Sequence, residues 1–202
     1  MQKSNSITNS KINKMVGMAI LIAAVVALQI VATFVKFGPF VITLALTPII
    51  VGAAMYGAAA GAVLGGAFGV VVLAACIGGA DPGGYILWMA NPAMTAALCI
   101  IKGAAAGFFA GLVYSAASKI SKMNRYIGVI GAAVVCPVAN TGIFISAMML
   151  FYRENLIEWA AGSSIIYFAL IGLTGVNFLV ELGANLVLSP AVVRIINVLK
   201  KS

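Results

Sequence analysis

The chain has 202 residues, of which 63% are apolar and only 8% are charged. Because a soluble domain carries about a quarter charged residues, this composition excludes a soluble globular protein and also a disordered chain. Long unbroken apolar runs instead predict an all-α polytopic membrane protein, since helices satisfy their own backbone polar groups in lipid. The length fits six spans of about 20 residues with short loops, and we expect no further domain.

The formal net charge is +8, and the chain contains no histidine. The basic residues lie mostly between apolar runs, so membrane topology explains them better than nucleic-acid binding does. Without histidine, neither a His-ligated metal site nor a histidine-based catalytic site can form. The cysteines Cys76, Cys99 and Cys136 are far apart and lack the spacing of a zinc site, so we expect them to pack in the core. We therefore expect no catalytic residue, no metal and no cofactor.

Six apolar runs are predicted to be the membrane-spanning helices. In chain order they cover residues 15–35, 41–56, 58–77, 93–117, 126–151 and 165–188. A polar cytoplasmic tail of residues 1–14 is expected before this membrane domain of residues 15–188, and a short basic cytoplasmic segment of residues 189–202 after it. Only Tyr56-Gly57 separates the second run from the third, which indicates a broken or tilted helix pair. Loops are predicted at residues 78–84, 118–125 and 152–164.

The charges outside the runs divide unequally between the two faces that six spans define. One face carries nine basic residues and no acidic residue: Lys3, Lys11, Lys14, Lys119, Lys122, Arg125, Arg194, Lys200 and Lys201. The other face carries two basic and three acidic residues: Lys36, Arg153, Asp81, Glu154 and Glu158. Because loops rich in Lys and Arg stay in the cytoplasm, this division predicts six spans with both termini cytoplasmic.

Polar side chains inside the spans are costly in lipid and are candidates for a functional site. Spans four, five and six carry Lys102, Asn140-Thr141 and Asn177 at similar predicted depths, which allows one polar cluster that opens outward. Lys102 is a candidate partner for an anionic ligand group; alternatively it pairs with Glu181 or extends to water. Asn140-Thr141 alternatively form a hydrogen bond between helices. A proline close before Asn140 favours a kink and a cavity there.

Small residues recur every four positions in three of the spans, which allows close helix packing. These strips are Ala19, Ala23 and Ala27; Gly57, Gly61, Gly65 and Gly69; and Gly103, Gly107 and Gly111. We expect the glycine strips to pack within the chain, whereas the alanine strip can face a partner protein. Aromatic residues near the predicted outer face form either an interface belt or a stacking surface for a flat ligand. They are Phe40, Tyr85, Trp88, Phe144, Tyr152 and Trp159.

No phosphate-binding loop of the type GxxxxGK[ST] occurs in the chain. Any ATP hydrolysis that drives transport must therefore occur in another subunit, and we expect this chain not to be an enzyme. One alternative is a self-contained secondary transporter driven by ions through Glu181. Another is a membrane scaffold protein in which the buried Lys102 and Glu181 pair with each other.

Three stretches together resemble the substrate-binding S components of energy-coupling factor (ECF) vitamin transporters. They are PFVITLALTPIIVGAAMYGAAAGAVLGGAFG at residues 39–69, NPAMTAALCIIKGAAAGFFAGLVY at 91–114 and CPVANTGIF at 136–144. The apolar run with a Thr-Pro-Ile step, the Tyr-Gly turn and the repeated glycines carry this resemblance. The number of spans and the chain length are also similar to those of that family.

The resemblance implies a six-helix membrane bundle that binds a vitamin near its outer face and topples in the membrane to deliver it. The implied substrate-binding residues are Lys102, Asn140, Thr141 and Asn177, with Asn91 and Trp88 from the outer loop. The strip Ala19, Ala23 and Ala27 matches the face that docks onto the transmembrane coupling subunit, which works with two ATPase subunits. The implied location is a bacterial plasma membrane.

The resemblance does not identify the vitamin, because the pockets differ on a shared fold. Lys102 favours a ligand with a carboxylate, such as pantothenate, folate, biotin or niacin. Riboflavin, as a flat ring, remains an alternative through the outer aromatic residues.

Overall fold

Helices make up nearly all of the chain in a computed structural model, which describes residues 2–34, 36–37, 40–41, 43–118 and 124–199. Side chains are described for residues 11–34, 41, 43–118 and 126–198. The α-helices are α1 Gln2–Ala32, α2 Leu46–Tyr56, α3 Ala58–Ile77, α4 Pro82–Ala90, α5 Pro92–Ser118, α6 Asn124–Phe151, α7 Arg153–Ala160, α8 Ile165–Tyr167 and α9 Gly175–Leu199. A π-helical segment, Phe168–Leu173, joins α8 to the region before α9. Two short strands, β1 Lys36–Phe37 and β2 Phe40–Val41, pair in an antiparallel hairpin between α1 and α2.

The predicted all-α polytopic membrane architecture is confirmed. Among the described residues, five helices are long and apolar enough to cross a membrane: α1, α3, α5, α6 and α9. The count reaches six if Arg153–Ala160 and Ile165–Leu173, which meet at 94°, form one bent span. The cytoplasmic orientation of the two termini stays a prediction.

The second predicted span, residues 41–56, was wrong in its first part. Helix α2 has 11 residues, which cover about 16 Å at 1.5 Å per residue, roughly half of the hydrocarbon core. Before α2 the structure describes the two strands of the β-hairpin and residues 43–45, which lie outside any helix. There the Thr43 N–H donates to the Glu181 carboxylate, at 2.9 Å, instead of to a helical carbonyl. A tertiary hydrogen bond therefore replaces the helical start that the apolar run indicated.

The predicted break at Tyr56-Gly57 is confirmed, because α2 ends at Tyr56 and α3 begins at Ala58. Gly57 has a φ of +92°, a conformation that residues with a Cβ atom rarely adopt. Only a glycine adopts this conformation between the two helices without strain.

Two of the predicted loops contain short helices. Helix α4 begins inside the glycine-rich stretch, where Asp81 accepts a hydrogen bond from the Gly84 N–H at 3.0 Å and Pro82 is the first helical residue. Both are favoured at helix starts. Helix α7 occupies most of the loop predicted at residues 152–164.

The outer boundaries of the predicted membrane domain fall inside helices. Helix α1 runs through residue 14, and α9 continues through Pro190 as far as Leu199. The division into two cytoplasmic tails and a membrane domain stays a prediction about topology. Residues 119–123 and 200–202 of the predicted cytoplasmic segments lie outside the described residues.

Helices α3 and α5 pack with their backbones in contact, as the glycine strips predicted. Gly61 lies against the Gly107 carbonyl, and Gly65 lies against the Gly103 carbonyl. An added Cβ atom at any of these four positions would collide with the facing backbone. This close approach fixes the position of α5, and with it Lys102, relative to the rest of the bundle.

Candidate functional site

A polar cavity lies among the spans, and all four polar span residues that the sequence singled out contribute to its wall. They are Lys102 of α5, Asn140 and Thr141 of α6, and Asn177 of α9. The predicted convergence of spans four, five and six on one cluster therefore agrees with the geometry. The cavity has a volume of about 50 Å³, which holds a few water molecules. A larger ligand requires part of the wall to move outward.

The cavity also has polar and aromatic lining residues that sequence reasoning did not assign to it: Gln29, Thr43, Asp81, Phe144, Thr174 and Glu181. Gln29 gave a usable signal, because it is a single amide inside the apolar run of the first span. Glu181 shares a helical face with Asn177, but the sequence indicated it only as an alternative partner of Lys102 or as an ion-coupling residue. No sequence pattern indicated Thr43, whose position depends on the fold of the hairpin and α2.

Glu181 is buried, with 4% of its surface exposed. One carboxylate oxygen, Oε1, accepts the Thr43 N–H at 2.9 Å. The other oxygen, Oε2, is buried and has no hydrogen-bond partner among the described residues. The Asn140 carboxamide lies within reach of this carboxylate, and the charge of Lys102 acts on it electrostatically.

Lys102 is half-buried, and its ammonium nitrogen Nζ lies 5.2 Å from the centroid of the Phe144 ring. A cation over an aromatic face at this distance is attracted by the electrons of the ring. Since Oε2 of Glu181 has no hydrogen-bond partner, the ammonium group is not hydrogen-bonded to that oxygen. The side chain of Lys102 therefore presents its charge to the cavity.

Residues at and just before the start of α9 form another part of the cavity wall. The π-helical segment ends at Leu173, and the Thr174 hydroxyl donates to the Ala169 carbonyl, five residues earlier, at 3.0 Å. Helical geometry then places Asn177 and Glu181 one turn apart on the same face. Segments of π-helix inside longer helices often occur at functional sites, and here the segment directly precedes the cavity residues.

The polar face of α9 continues beyond the cavity, where it has a packing role. Asn185 is buried, and its Oδ1 accepts the Thr47 hydroxyl at 2.8 Å. This hydrogen bond ties α9 to α2 below the cavity. Thus Glu181 belongs to the cavity, whereas Asn185 connects two helices.

Two of the sequence-predicted residues, Asn91 and Trp88, do not line the cavity. The Asn91 side chain accepts the Met94 N–H at 3.1 Å and caps α5. Its carbonyl accepts the Tyr152 hydroxyl at 3.2 Å, and this hydroxyl also bonds Thr95 at 2.7 Å. These contacts join the N-terminal end of α5 to the residue that links α6 and α7. Trp88 is half-buried on α4.

The aromatic residues near the predicted outer face differ in their burial and surroundings. Phe144 lines the cavity, and Tyr152 is buried in a second apolar cluster around Met148 and Leu156. Tyr85 is exposed on α4, as an interface belt requires. The side chain of Phe40 lies outside the described residues. Among the side chains of this group that the structure describes, only the Phe144 ring lines the cavity.

The alanine strip lies on the outside of the bundle. Ala19, Ala23 and Ala27 are all exposed, whereas Val25 and Gln29 of the same helix are buried. The face that these alanines form is therefore open to lipid or to another protein. Within the described part of the chain, no group of three metal-binding side chains is brought together.

A comparison with known families supplies one match. The model of a family described as "ECF transporter, substrate-specific component" matches residues 13–193, which include every span and every residue of the cavity. No curated protein and no solved structure matches the chain significantly.

Proposed function

The chain belongs to the family of ECF transporter substrate-specific components, and on that premise we propose that it binds a water-soluble vitamin in the cavity around Lys102. As a member of this family it is a substrate-specific subunit of an importer, a multi-pass membrane protein and not an enzyme. Its partners are the coupling and ATPase subunits of the ECF complex. We further propose a bacterial plasma membrane as its location, with both termini in the cytoplasm.

The observation that carries the proposal is the convergence of Lys102, Asn140, Thr141 and Asn177 on one cavity. They come from three helices, and Asn140 and Asn177 are buried. Polar groups inside a membrane bundle cost free energy unless they are satisfied, so such a cluster is expected only where it serves binding or transport. A ligand with suitable polar groups offsets this cost.

Lys102 is the proposed partner for an anionic group on the vitamin. Its ammonium group is a point charge with three N–H donors, and in a poorly solvated cavity a carboxylate is attracted to it more strongly than in water. This supports the carboxylate-bearing class of pantothenate, folate, biotin and niacin. Riboflavin would depend on stacking, and among the outer aromatic side chains that the structure describes only Phe144 lines the cavity.

Delivery by toppling is proposed to depend on docking through the alanine strip of α1. The exposed positions of Ala19, Ala23 and Ala27 support this role, because small side chains let the backbone of a partner helix approach closely. The strip and the cavity occupy different faces of α1, since Gln29 lines the cavity and is buried. Docking and ligand binding can therefore be disrupted separately.

Replacement of Ala23 by tryptophan is expected to block uptake while leaving ligand affinity unchanged. The large ring would hold a partner helix away from α1 without reaching the cavity. The measurement is uptake of labelled vitamin into cells or proteoliposomes that contain the complete ECF complex, together with ligand binding to the purified subunit. Ala74→Trp is the matched control, because Ala74 is also exposed but lies on α3.

Two results would contradict this proposal. Normal uptake by Ala23→Trp would remove the docking role of the strip. Failure of the purified chain to bind any vitamin, together with no dependence of vitamin uptake on this chain in the complete complex, would remove the proposed function. Mass spectrometry of small molecules released from the purified protein identifies a ligand directly.

A further inference from the structure

Gln29, Asn140 and Glu181 each place a buried oxygen atom in the cavity wall, and among the described residues Gln29 Oε1, Asn140 Oδ1 and Glu181 Oε2 have no hydrogen-bond partner. Their residues are 2%, 4% and 4% exposed, and all three line the cavity. Because unsatisfied buried polar atoms are rare in folded proteins and costly, each one calls for an explanation. All three atoms are acceptors, and they come from α1, α6 and α9, so no local feature of one helix accounts for them.

The arrangement around Glu181 holds these acceptors in place. The Thr43 N–H fixes Oε1 of the carboxylate, and the Asn140 carboxamide lies within reach of the same group. Oε2 and Asn140 Oδ1 therefore belong to neighbouring side chains, and neither oxygen accepts a hydrogen bond from a described residue. Lys102 lies farther away, with its ammonium group over the Phe144 ring.

The charges of the cavity wall also favour a ligand that donates hydrogen bonds. Among the described residues, the charged side chains that line the cavity are the cationic Lys102 and the carboxylates Asp81 and Glu181. A ligand that brings only negative charge would satisfy Lys102 but would increase repulsion from the carboxylates. A ligand that also brings hydrogen-bond donors compensates the carboxylate and the unpaired amide oxygens together.

We propose that Glu181, Asn140 and Gln29 form a subsite for the hydrogen-bond-donor edge of the ligand, while Lys102 takes its anionic group. This inference rests on the proposed function and narrows the substrate class to vitamins that carry a carboxylate and, apart from it, N–H or O–H donors. A site built to hydrogen-bond donors rejects an analogue that lacks them, because its own acceptors then stay unpaired. Among the carboxylate-bearing candidates, pantothenate, folate and biotin carry such donors, whereas nicotinate has none at neutral pH.

The test measures binding of biotin, folate, pantothenate and nicotinate to the purified full-length protein by calorimetry and thermal shift. We expect one of the three donor-bearing compounds to bind and nicotinate to bind at least tenfold more weakly. Glu181→Gln should weaken that binding roughly 10- to 100-fold. A glutamine can keep its oxygen on the Thr43 N–H, but its amide group then presents donors where the carboxylate accepted. Glu158→Gln is the matched control, since Glu158 is exposed on α7.

A second variant separates recognition from a structural role. Gln29→Met removes an acceptor while keeping a side chain of similar length. We expect it to weaken binding of the same compound, while the melting temperature of the ligand-free protein is unchanged or raised, because an unsatisfied buried oxygen is removed. A structural role of Gln29 would instead lower that melting temperature.

The possible outcomes separate this inference from the function on which it rests. Tight binding of nicotinate, or unchanged affinity in both Glu181→Gln and Gln29→Met, would overturn the donor subsite and leave the family function intact. If none of the four compounds binds, the donor subsite and the carboxylate class both fail. The docking experiment with Ala23 tests the importer function independently of these results.

Discussion

Replacement of Lys102 by alanine is expected to abolish high-affinity ligand binding without unfolding the protein. The ammonium group faces a buried polar cavity, so an anionic ligand group would lose its main positive partner. Removing one member of a buried, hydrogen-bonded charge pair costs about 2–5 kcal/mol, which is roughly 30-fold to several thousand-fold in Kd. Binding is measured by calorimetry on the purified protein.

The ligand-free protein should tolerate this change. Lys102 contacts the face of the Phe144 ring at 5.2 Å, and such a contact is worth about 1 kcal/mol or less unless it is fully desolvated. Removing a charge from the interior of a membrane bundle also relieves a cost. Lys14→Ala is a suitable control, because Lys14 is exposed near the predicted cytoplasmic end of α1. Unchanged affinity in Lys102→Ala would exclude a role of this lysine in binding.

Replacement of Gly65 by alanine is expected to destabilise the bundle strongly. The new methyl group would meet the Gly103 carbonyl and the backbone of Ala104, and neither can move without separating α3 from α5. Overpacking of this kind costs about 2 kcal/mol or more, which corresponds to a melting temperature lower by roughly 4–8 °C for a chain of this size. The measurement is thermal unfolding in detergent.

Gly66 provides a closely matched control for this prediction. It is the next residue on the same helix, yet a Cβ atom there meets nothing within 4 Å. Gly66→Ala should leave the melting temperature unchanged or raise it, because alanine favours a helix over glycine by about 1 kcal/mol. Equal melting temperatures for the two variants would contradict the backbone contact between α3 and α5.

The position of Lys102 in the cavity wall depends on the glycine contact between α3 and α5. The glycines of α3 and α5 bring the helices so close that Lys102, one residue before Gly103, is held at a fixed position in the wall. A substitution that separates α3 and α5 less than Gly65→Ala does is therefore expected to weaken ligand binding as well as stability. In contrast, the alanine strip of α1 lies outside the bundle and can be changed without this effect.

Most helices could be predicted from the sequence because lipid imposes a simple rule on each segment. An apolar run of sufficient length must form a helix, and α3 has the predicted bounds of Ala58–Ile77. Local chemistry also marked the break at Gly57, although it did not reveal α4 and α7 inside the predicted loops. The prediction of a helix failed at Val41 and at residues 43–45, because an apolar composition alone does not show where a helix begins.

The candidate site was predicted only in part, for a physical reason. Lys102, Asn140 and Asn177 stood out because polar residues inside spans are costly. Asn91 and Trp88 did not reach the cavity, because Asn91 caps α5 instead and Trp88 lies on a helix that residues 78–91 had not been expected to form. Their predicted roles depended on which loops fold over the site, and sequence spacing does not carry that information.

The sequence by itself determined that this chain is a helical membrane protein and where most of its helices lie. It also indicated which polar residues inside the spans were candidates for a functional site. Each of these follows from local hydrophobicity and from small residues at helical spacing. The tertiary structure alone decided that Thr43 and Glu181, 138 residues apart, would share a hydrogen bond, and that Gln29 would join them at one cavity. These contacts arise from the packing of whole helices, which depends on all of their side chains together.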